Sequence, residues 1–160
     1  MYWLALSLHI LSALFWLGGI LFLGIVGAPV LREVEPPALR QQLFQALGLR
    51  FRTAGWIAIG TLLVTGTFIL HVRGFLRAEV LGNAQFWETG TGIALAVKLA
   101  SVSIMLVLSA AHDFVLGPRA GRLEAESAEA QRLRRQAAMM ARVNGLMALV
   151  LIGAAMKLAR

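Results

Sequence analysis

The stretch that decides the fold is residues 2–31, YWLALSLHILSALFWLGGILFLGIVGAPVL. It contains one histidine, His9, and no lysine, arginine, aspartate or glutamate. An α-helix rises 1.5 Å per residue, so about 20 apolar residues cross a hydrocarbon core of about 30 Å. The run is too long for the apolar segment of a secretory signal and lacks the basic residues that precede one. It predicts a retained first membrane-spanning helix.

Three further apolar stretches follow, each of roughly 20 residues or more. None alternates apolar and polar residues as barrel strands do, so α-helices must satisfy the backbone inside the bilayer. The sequence therefore predicts an all-α fold, an integral membrane antiparallel four-helix bundle. A single membrane domain, 1–160, would have spanning helices at about 2–30, 53–72, 89–116 and 137–158, with cytoplasmic connections at 31–52 and 117–136.

The composition agrees with a lipid environment. Hydrophobic residues make up 59% of the chain and charged residues 14%, whereas a soluble domain carries about 25% charged residues. The net charge of +7 comes mainly from arginines in the two long connections, a distribution that indicates membrane topology and not nucleic-acid binding. The absence of cysteine excludes disulfides, cysteine-ligated zinc and iron–sulfur clusters.

The arginines also predict an orientation. Cytoplasmic loops of membrane proteins carry an excess of Lys and Arg. We therefore expect both long connections in the cytoplasm and both termini outside, in a bacterial-type inner (plasma) membrane. Within the first connection, residues 37–49 have the spacing of an amphipathic surface helix, and residues 123–136 would extend the fourth helix. The long connections hold Arg32, Arg40, Arg50, Arg52, Arg119, Arg122, Arg132, Arg134 and Arg135, against Arg73, Arg77, Lys157 and Arg160 on the opposite side.

Ionisable residues inside spanning helices are costly and by default mark functional sites. By the rise per residue, His9 and Lys98 lie roughly 10 Å below the outer surface, and His71 closes the second helix near that surface. Three basic groups from three helices are thus predicted to converge in the outer half. Asp113 and Arg142 are predicted to form an ion pair between the third and fourth helices, the alternative being a small-ligand or proton-entry site. The candidates are His9, His71, Lys98, His112, Asp113 and Arg142, with Asn144 as an uncharged companion.

These residue types suit a metal or haem. Neutral imidazole is a good ligand for copper and for haem iron, and an ammonium group pairs with haem propionates. His9 is the predicted principal ligand, His71 a second candidate and His112 a third metal candidate. Lys98 would face an anionic group or carry a proton. The alternative for His9 is a buried imidazole bonded to a neighbouring carbonyl. The six methionines form no dense array, and methionine is common apolar filling.

Several short motifs resemble the CopD (copper-resistance D) family, whose members are helical membrane proteins implicated in copper handling. The first and third helices are also similar to HemJ-type protoporphyrinogen oxidases, four-helix proteins that bind haem b. In that family a histidine of the first helix and a lysine of the third are functional, which corresponds here to His9 and Lys98. The CopD-like motifs are Leu8-His9-Ile10-Leu11, residues 15–22 (FWLGGILF), Ala28-Pro29, Arg50-Phe51-Arg52, Gly55-Trp56, Thr65-Gly66, Lys98-Leu99, and His112 before Pro118-Arg119.

The sequence leaves three functions open. The first is a CopD-like protein that binds a metal or haem in the outer half and serves copper transport or tolerance. The second, implied by the HemJ resemblance, is a haem b oxidoreductase that passes electrons to quinone. The third is a non-catalytic membrane subunit that assembles with itself or with a larger partner. The cofactor, copper ion or haem b, stays undecided, as does whether the chain is an enzyme.

Overall fold

The structure is a computed structural model that describes residues 1–123 and 127–159. In these residues every regular element is helical and there is no strand. Four helices are long and apolar enough to cross a membrane, so the predicted all-α membrane fold with four spanning helices is confirmed. They are Tyr2–Arg32, Pro37–Val72, Gly90–Ala120 and Gln131–Leu158.

The first and third spanning helices each consist of three consecutive segments, whereas the second and fourth are continuous. Two short helices, α4 and α5, fill the connection between the second and third spanning helices. In chain order the segments are α1 (Tyr2–Phe22), π1 (Leu23–Gly27), α2 (Ala28–Arg32), α3 (Pro37–Val72), α4 (Ala78–Leu81), α5 (Ala84–Glu88), α6 (Gly90–Ala111), π2 (His112–Leu116), α7 (Gly117–Gly121) and α8 (Ala128–Ala159).

Local sequence explains where the second and third spanning helices end and begin. The second stops at Gly74, which has φ of 78°, a left-handed conformation that glycine adopts at little cost. The Gly74 and Phe75 N–H groups then bond the carbonyls of His71 and Leu70, which closes the helix as a Schellman motif. At the start of α6 the Thr89 hydroxyl accepts a hydrogen bond from the Gly92 N–H, an N-cap.

The π turns stand directly before prolines in both interrupted helices. Proline has no N–H, and its ring collides with the carbonyl four residues earlier. A π turn, in which each N–H bonds the carbonyl five residues back, widens the helix at that point. The Ala28 N–H accordingly bonds the Leu23 carbonyl before Pro29, and the Gly117 N–H bonds the His112 carbonyl before Pro118.

Contacts between the helices show two antiparallel pairs. Along the first spanning helix, His9 meets Thr65, and Trp16 lies against Gly55 of the second. In the last two helices Gly90 lies beside Lys157 and Ser109 bonds Asn144. In each pair, residue numbers increase along one helix in the direction in which they decrease along the other, so the two helices are antiparallel. We call these pairs the first and second hairpins.

The two hairpins meet in one packed cluster. The first hairpin contributes Trp16 and Ile59, which are almost fully buried, and the second contributes Met105 and Ala148. Most other large apolar side chains are exposed on the outside, such as Leu14 at 66%. In a membrane these side chains contact lipid tails, which are as apolar as they are. The chain is therefore a protein of the lipid bilayer.

The second spanning helix is longer than the sequence predicts. Residues 37–49, expected as a separate surface helix, are continuous with the apolar segment in one 36-residue helix, α3. No proline separates Leu49 from Thr53, so nothing ends the helix there. At 1.5 Å per residue α3 is about 54 Å long, so one end extends well beyond a hydrocarbon core of about 30 Å. Residues 124–126 of the predicted fourth-helix extension lie outside the described residues.

Candidate functional site

The best-defined polar contact inside the first hairpin joins His9 to the second spanning helix. The His9 Nδ1 atom lies 2.9 Å from the Thr65 Oγ1 atom. The Thr65 hydroxyl donates its hydrogen to the Thr61 carbonyl, at 2.6 Å. Because the Thr61 carbonyl takes that hydrogen, the arrangement favours the tautomer in which the His9 Nδ1–H donates to Thr65. In the neutral ring this leaves the lone pair on Nε2 available as a metal ligand.

Gly66 provides the surface on which the His9 ring rests. A Cβ atom added at Gly66 would lie 3.1 Å from the His9 Cε1 atom, which is closer than ordinary van der Waals contact. Thr65 therefore orients the ring and Gly66 leaves room for it. Sequence reasoning identified His9 but assigned no role in the site to these two neighbours.

Lys98 is half-buried on the third spanning helix. His9 and Arg73 lie toward the same end of the molecule as Lys98. Arg73 also donates to the Tyr2 hydroxyl, at 3.3 Å, and to the Leu158 carbonyl, at 3.0 Å. All four spanning helices thus contribute to this end of the molecule, which we call the His9 half.

The structure does not bring His71 to this site. His71 is exposed, and it lies six residues beyond Thr65 on the same helix. Six residues correspond to about 9 Å along the axis and about 120° around it. Of the three basic groups predicted to converge, His9 and Lys98 lie toward the same end of the molecule, whereas the His71 side chain is exposed and faces a different direction.

The opposite end, the Asp113 half, holds a second polar cluster. The Asp113 carboxylate accepts one hydrogen bond from the Trp56 Nε1–H and lies 2.9 Å from the His112 Nδ1 atom. Arg52 donates to the Asp113 backbone carbonyl, at 3.2 Å. The predicted ion pair between Asp113 and Arg142 is wrong, because both carboxylate oxygens face other groups and Arg142 lies on the exposed side of α8. Asp113 therefore connects the third helix to the second.

Asn144 lies buried between the third and fourth helices. The residue is 7% exposed, and its side-chain amide donates to the Ser109 hydroxyl, at 3.3 Å. Within the part of the chain that the structure describes, its Oδ1 atom has no hydrogen-bond partner. This pair fastens the second hairpin internally, on the seam where Met105 and Ser109 are buried.

Each end of the molecule offers few side chains that could act as metal ligands. Among residues 1–123 and 127–159 there is no group of three or more His, Cys, Asp or Glu side chains that could enclose a metal ion. The His9 half offers one imidazole nitrogen beside an ammonium group. The Asp113 half offers the half-exposed His112 ring, whose Nδ1 atom faces Asp113. Within the described residues, side chains of these four types do not by themselves enclose a metal ion at either end.

We expect Gly66→Ala to reduce ligand binding at His9 by about tenfold, the lower range seen when an orienting neighbour of a metal ligand is lost. The new methyl group would displace the His9 ring, while alanine itself favours the helix. Gly60→Ala on the same helix is the control, because a Cβ there has nothing within 4 Å. Equal ligand binding by Gly66→Ala and Gly60→Ala would show that ligand binding does not depend on the position of the His9 ring.

We expect Asp113→Ala to lower the free energy of unfolding by about 1–2 kcal/mol, because it leaves the Trp56 N–H without its acceptor between the hairpins. Thermal unfolding in detergent measures the change. Arg142→Ala, at an exposed position, should leave the transition unchanged. A larger loss with Arg142→Ala than with Asp113→Ala would contradict the assignment.

The fold and the cluster of intramembrane basic groups define a class: a multi-pass helical membrane protein. Residues 45–158 match the family model of copper resistance protein D. The chain belongs to this CopD family, as its motifs predict. A protein of Aquifex aeolicus (strain VF5), described as "Uncharacterized protein", is 33% identical over 117 residues, which cover 73% of this chain and 71% of that protein. No solved structure matches the chain.

Proposed function

We propose that this copper resistance-related membrane protein binds a metal-containing ligand in the His9 half and serves copper transport or tolerance. The observation that carries the proposal is the hydrogen-bond chain from His9 through Thr65 to Thr61. A metal-binding imidazole usually donates its other N–H to an oxygen, which fixes the ring and its tautomer. His9 has that arrangement, and Nε2 is the nitrogen that would bind.

The incomplete donor set suits copper as a transported ion. A site that conducts an ion must bind it strongly enough for entry and weakly enough for release. A single protein imidazole, completed by water or a carrier molecule, meets that condition better than a closed cage does. His9 would then be a transient ligand, and the family to which the chain belongs is consistent with copper as the cargo.

Haem b is the second candidate, and the position of Lys98 favours it. A bare cation beside an ammonium group is repelled, whereas haem carries two propionate groups that an ammonium attracts. The residues fit the group in their chemistry: His9 would hold the iron and Lys98 a propionate. Bound haem supplies one-electron transfer, and quinone would be the partner in the membrane. Lys98 is half-buried, so in this role its charge needs the anionic partner.

One experiment tests both candidates. The protein is purified in detergent, its visible spectrum is recorded oxidised and reduced, and its copper and iron contents are measured. A Soret band with sharp bands on reduction supports haem, and copper at a fixed ratio to protein without those bands supports the copper reading. If neither copper nor haem is present and neither can be loaded, the proposal is wrong.

We also propose that the arginine-rich connections lie in the cytoplasm, which places His9 and Lys98 in the half that faces outward. The chain has no cysteine, so single cysteines report sidedness cleanly. In intact cells a membrane-impermeant maleimide should label Glu79→Cys, and it should label Glu33→Cys only after permeabilisation. The reverse pattern would invert the orientation and place the site on the cytoplasmic side.

A further inference from the structure

A groove runs along one face of the second spanning helix and continues beside the first spanning helix. It consists of two adjoining open hollows of about 510 and 340 Å³, which share Ala54 and Ile57 in their lining. The floor is low because Ala54 and Ala58 have small side chains, and residues of the first helix form the other wall of the second hollow. Arg50 lines the first hollow and Thr61 lines the second. We call this feature the Ala54 groove.

The Ala54 groove is about as long as one leaflet of a bilayer is thick. Between Arg52 and Arg73 the second spanning helix has no Lys, Arg, Asp or Glu. These residues, 53–72, cover about 30 Å, which is the thickness of a hydrocarbon core. Arg50, just before this segment, therefore lies at the level of the lipid headgroups. From Arg50 to Thr61 the helix rises about 16 Å, which is about half of that core.

Beyond Arg50 the groove presents mainly hydrocarbon. The two threonines in its lining donate their hydroxyl hydrogens to their own helix, Thr53 to the Leu49 carbonyl at 3.2 Å and Thr61 to the Ile57 carbonyl at 3.0 Å. Neither hydroxyl therefore needs a donor or acceptor from a ligand. A lining of this kind suits an alkyl chain better than a polar molecule.

The charged end of the groove is open to a partner. Arg50 is exposed, and within residues 1–123 and 127–159 no hydrogen bond or ion pair holds its side chain. The neighbouring Arg52 differs, since it donates to the Asp113 carbonyl and its guanidinium carbon lies 5.8 Å from the centre of the Phe114 ring. A guanidinium group at headgroup level is well suited to bind a phosphate, because it can donate two parallel hydrogen bonds.

We infer that the Ala54 groove binds one anionic phospholipid from the leaflet at the Arg50 end, with the phosphate on Arg50 and an acyl chain along Ala54 and Ala58. The inference does not depend on the ligand proposed for the His9 half. A second copy of the chain fits the groove less well, because a two-fold axis along the membrane normal would bring two equally basic ends together. In the first connection that end carries Arg32, Arg40, Arg50 and Arg52, against Glu33 and Glu35.

The first test removes the charge and keeps the groove. Phosphatidylglycerol is titrated into the detergent-purified protein, and native mass spectrometry gives the affinity of the first lipid bound. Arg50→Gln should weaken that affinity about fivefold. Arg119→Gln is the matched control, because it removes one exposed charge at the same end of the second hairpin. An equal loss in both variants would show general attraction to a basic surface and would overturn the inference. So would equal affinity of the unsubstituted protein for phosphatidylcholine.

The second test fills the groove and keeps the charge. Ala54→Phe should weaken phosphatidylglycerol binding at least as much as Arg50→Gln does, because the ring occupies the path of the acyl chain. Gly60→Phe is the control, since a Cβ there has nothing within 4 Å. Unchanged affinity in Ala54→Phe would contradict the position of the chain, and a dimer that this variant separates would identify a second copy as the occupant. If Ala54→Phe does not fold, the comparison of the two arginine variants decides.

Discussion

Replacement of His9 by alanine should remove the native ligand from the purified protein. Loss of an orienting neighbour alone typically lowers metal affinity about 10- to 100-fold, and loss of the ligating nitrogen itself should cost more. The copper content, or the Soret absorbance if the ligand is haem, should therefore fall by at least about tenfold relative to protein. Thr65 is buried, but its hydroxyl still donates to the Thr61 carbonyl when position 9 is alanine, so the substitution leaves that hydroxyl hydrogen-bonded.

His71→Ala is the matched control for this experiment. Both residues are histidines in the same half of the molecule, but His71 is exposed and turned away from the site. We expect its ligand content to equal that of the unsubstituted protein. An unchanged ligand signal in His9→Ala would exclude His9 as the ligand, and loss of the signal in His71→Ala would show that the second predicted histidine takes part after all.

Gly92→Ala should produce the largest loss of stability in the connection between the second and third helices. A Cβ at Gly92 would overlap the backbone carbonyl of Phe86, and a backbone group cannot move aside as a flexible side chain can. The start of α6 would have to separate from α5, and overpacking of this kind costs about 1–3 kcal/mol. The N-cap bond from the Gly92 N–H to the Thr89 hydroxyl would be strained in the same movement.

Gly90→Ala, two residues earlier, separates this effect from the general preference of helices for alanine. A Cβ there would contact only the end of the Lys157 side chain, at 3.4 Å, which can adjust. The thermal transition of Gly90→Ala in detergent should be unchanged or slightly higher, and that of Gly92→Ala clearly lower. Equal transitions would show that the close approach of Phe86 is not a constraint in the folded protein.

The number of spanning helices could be predicted because it depends on a local property. A run of about 20 apolar residues identifies a spanning helix whatever its neighbours are. The residues at which the helices end were harder to predict. Residues 37–49 have the pattern of an amphipathic surface helix, but the pattern does not say whether the helix stops at Leu49, and the structure continues it to Val72.

For the candidate site, too, some residues could be predicted from a local property of the sequence and others could not. His9 and Lys98 could be identified because a polar group inside a bilayer is costly wherever it points. The partner of Asp113 could not, because choosing between Arg142 and Trp56 requires knowledge of which helix faces the π turn. Thr65 and Gly66 gave only weak signals, since threonine and glycine are frequent in spanning helices for reasons of packing alone.

The uninterrupted second helix has a mechanical consequence. The first and third spanning helices each contain a wide π turn, whereas α3 is one uninterrupted α-helix from Pro37 to Val72. Thr65 lies on that helix, about 42 Å from its Pro37 end. A change of tilt at the protruding end, from a thicker bilayer or an attached protein, would be transmitted to the oxygen that orients His9. A movement of the Pro37 end would therefore reach the surroundings of His9, which lie toward the other end of the same helix.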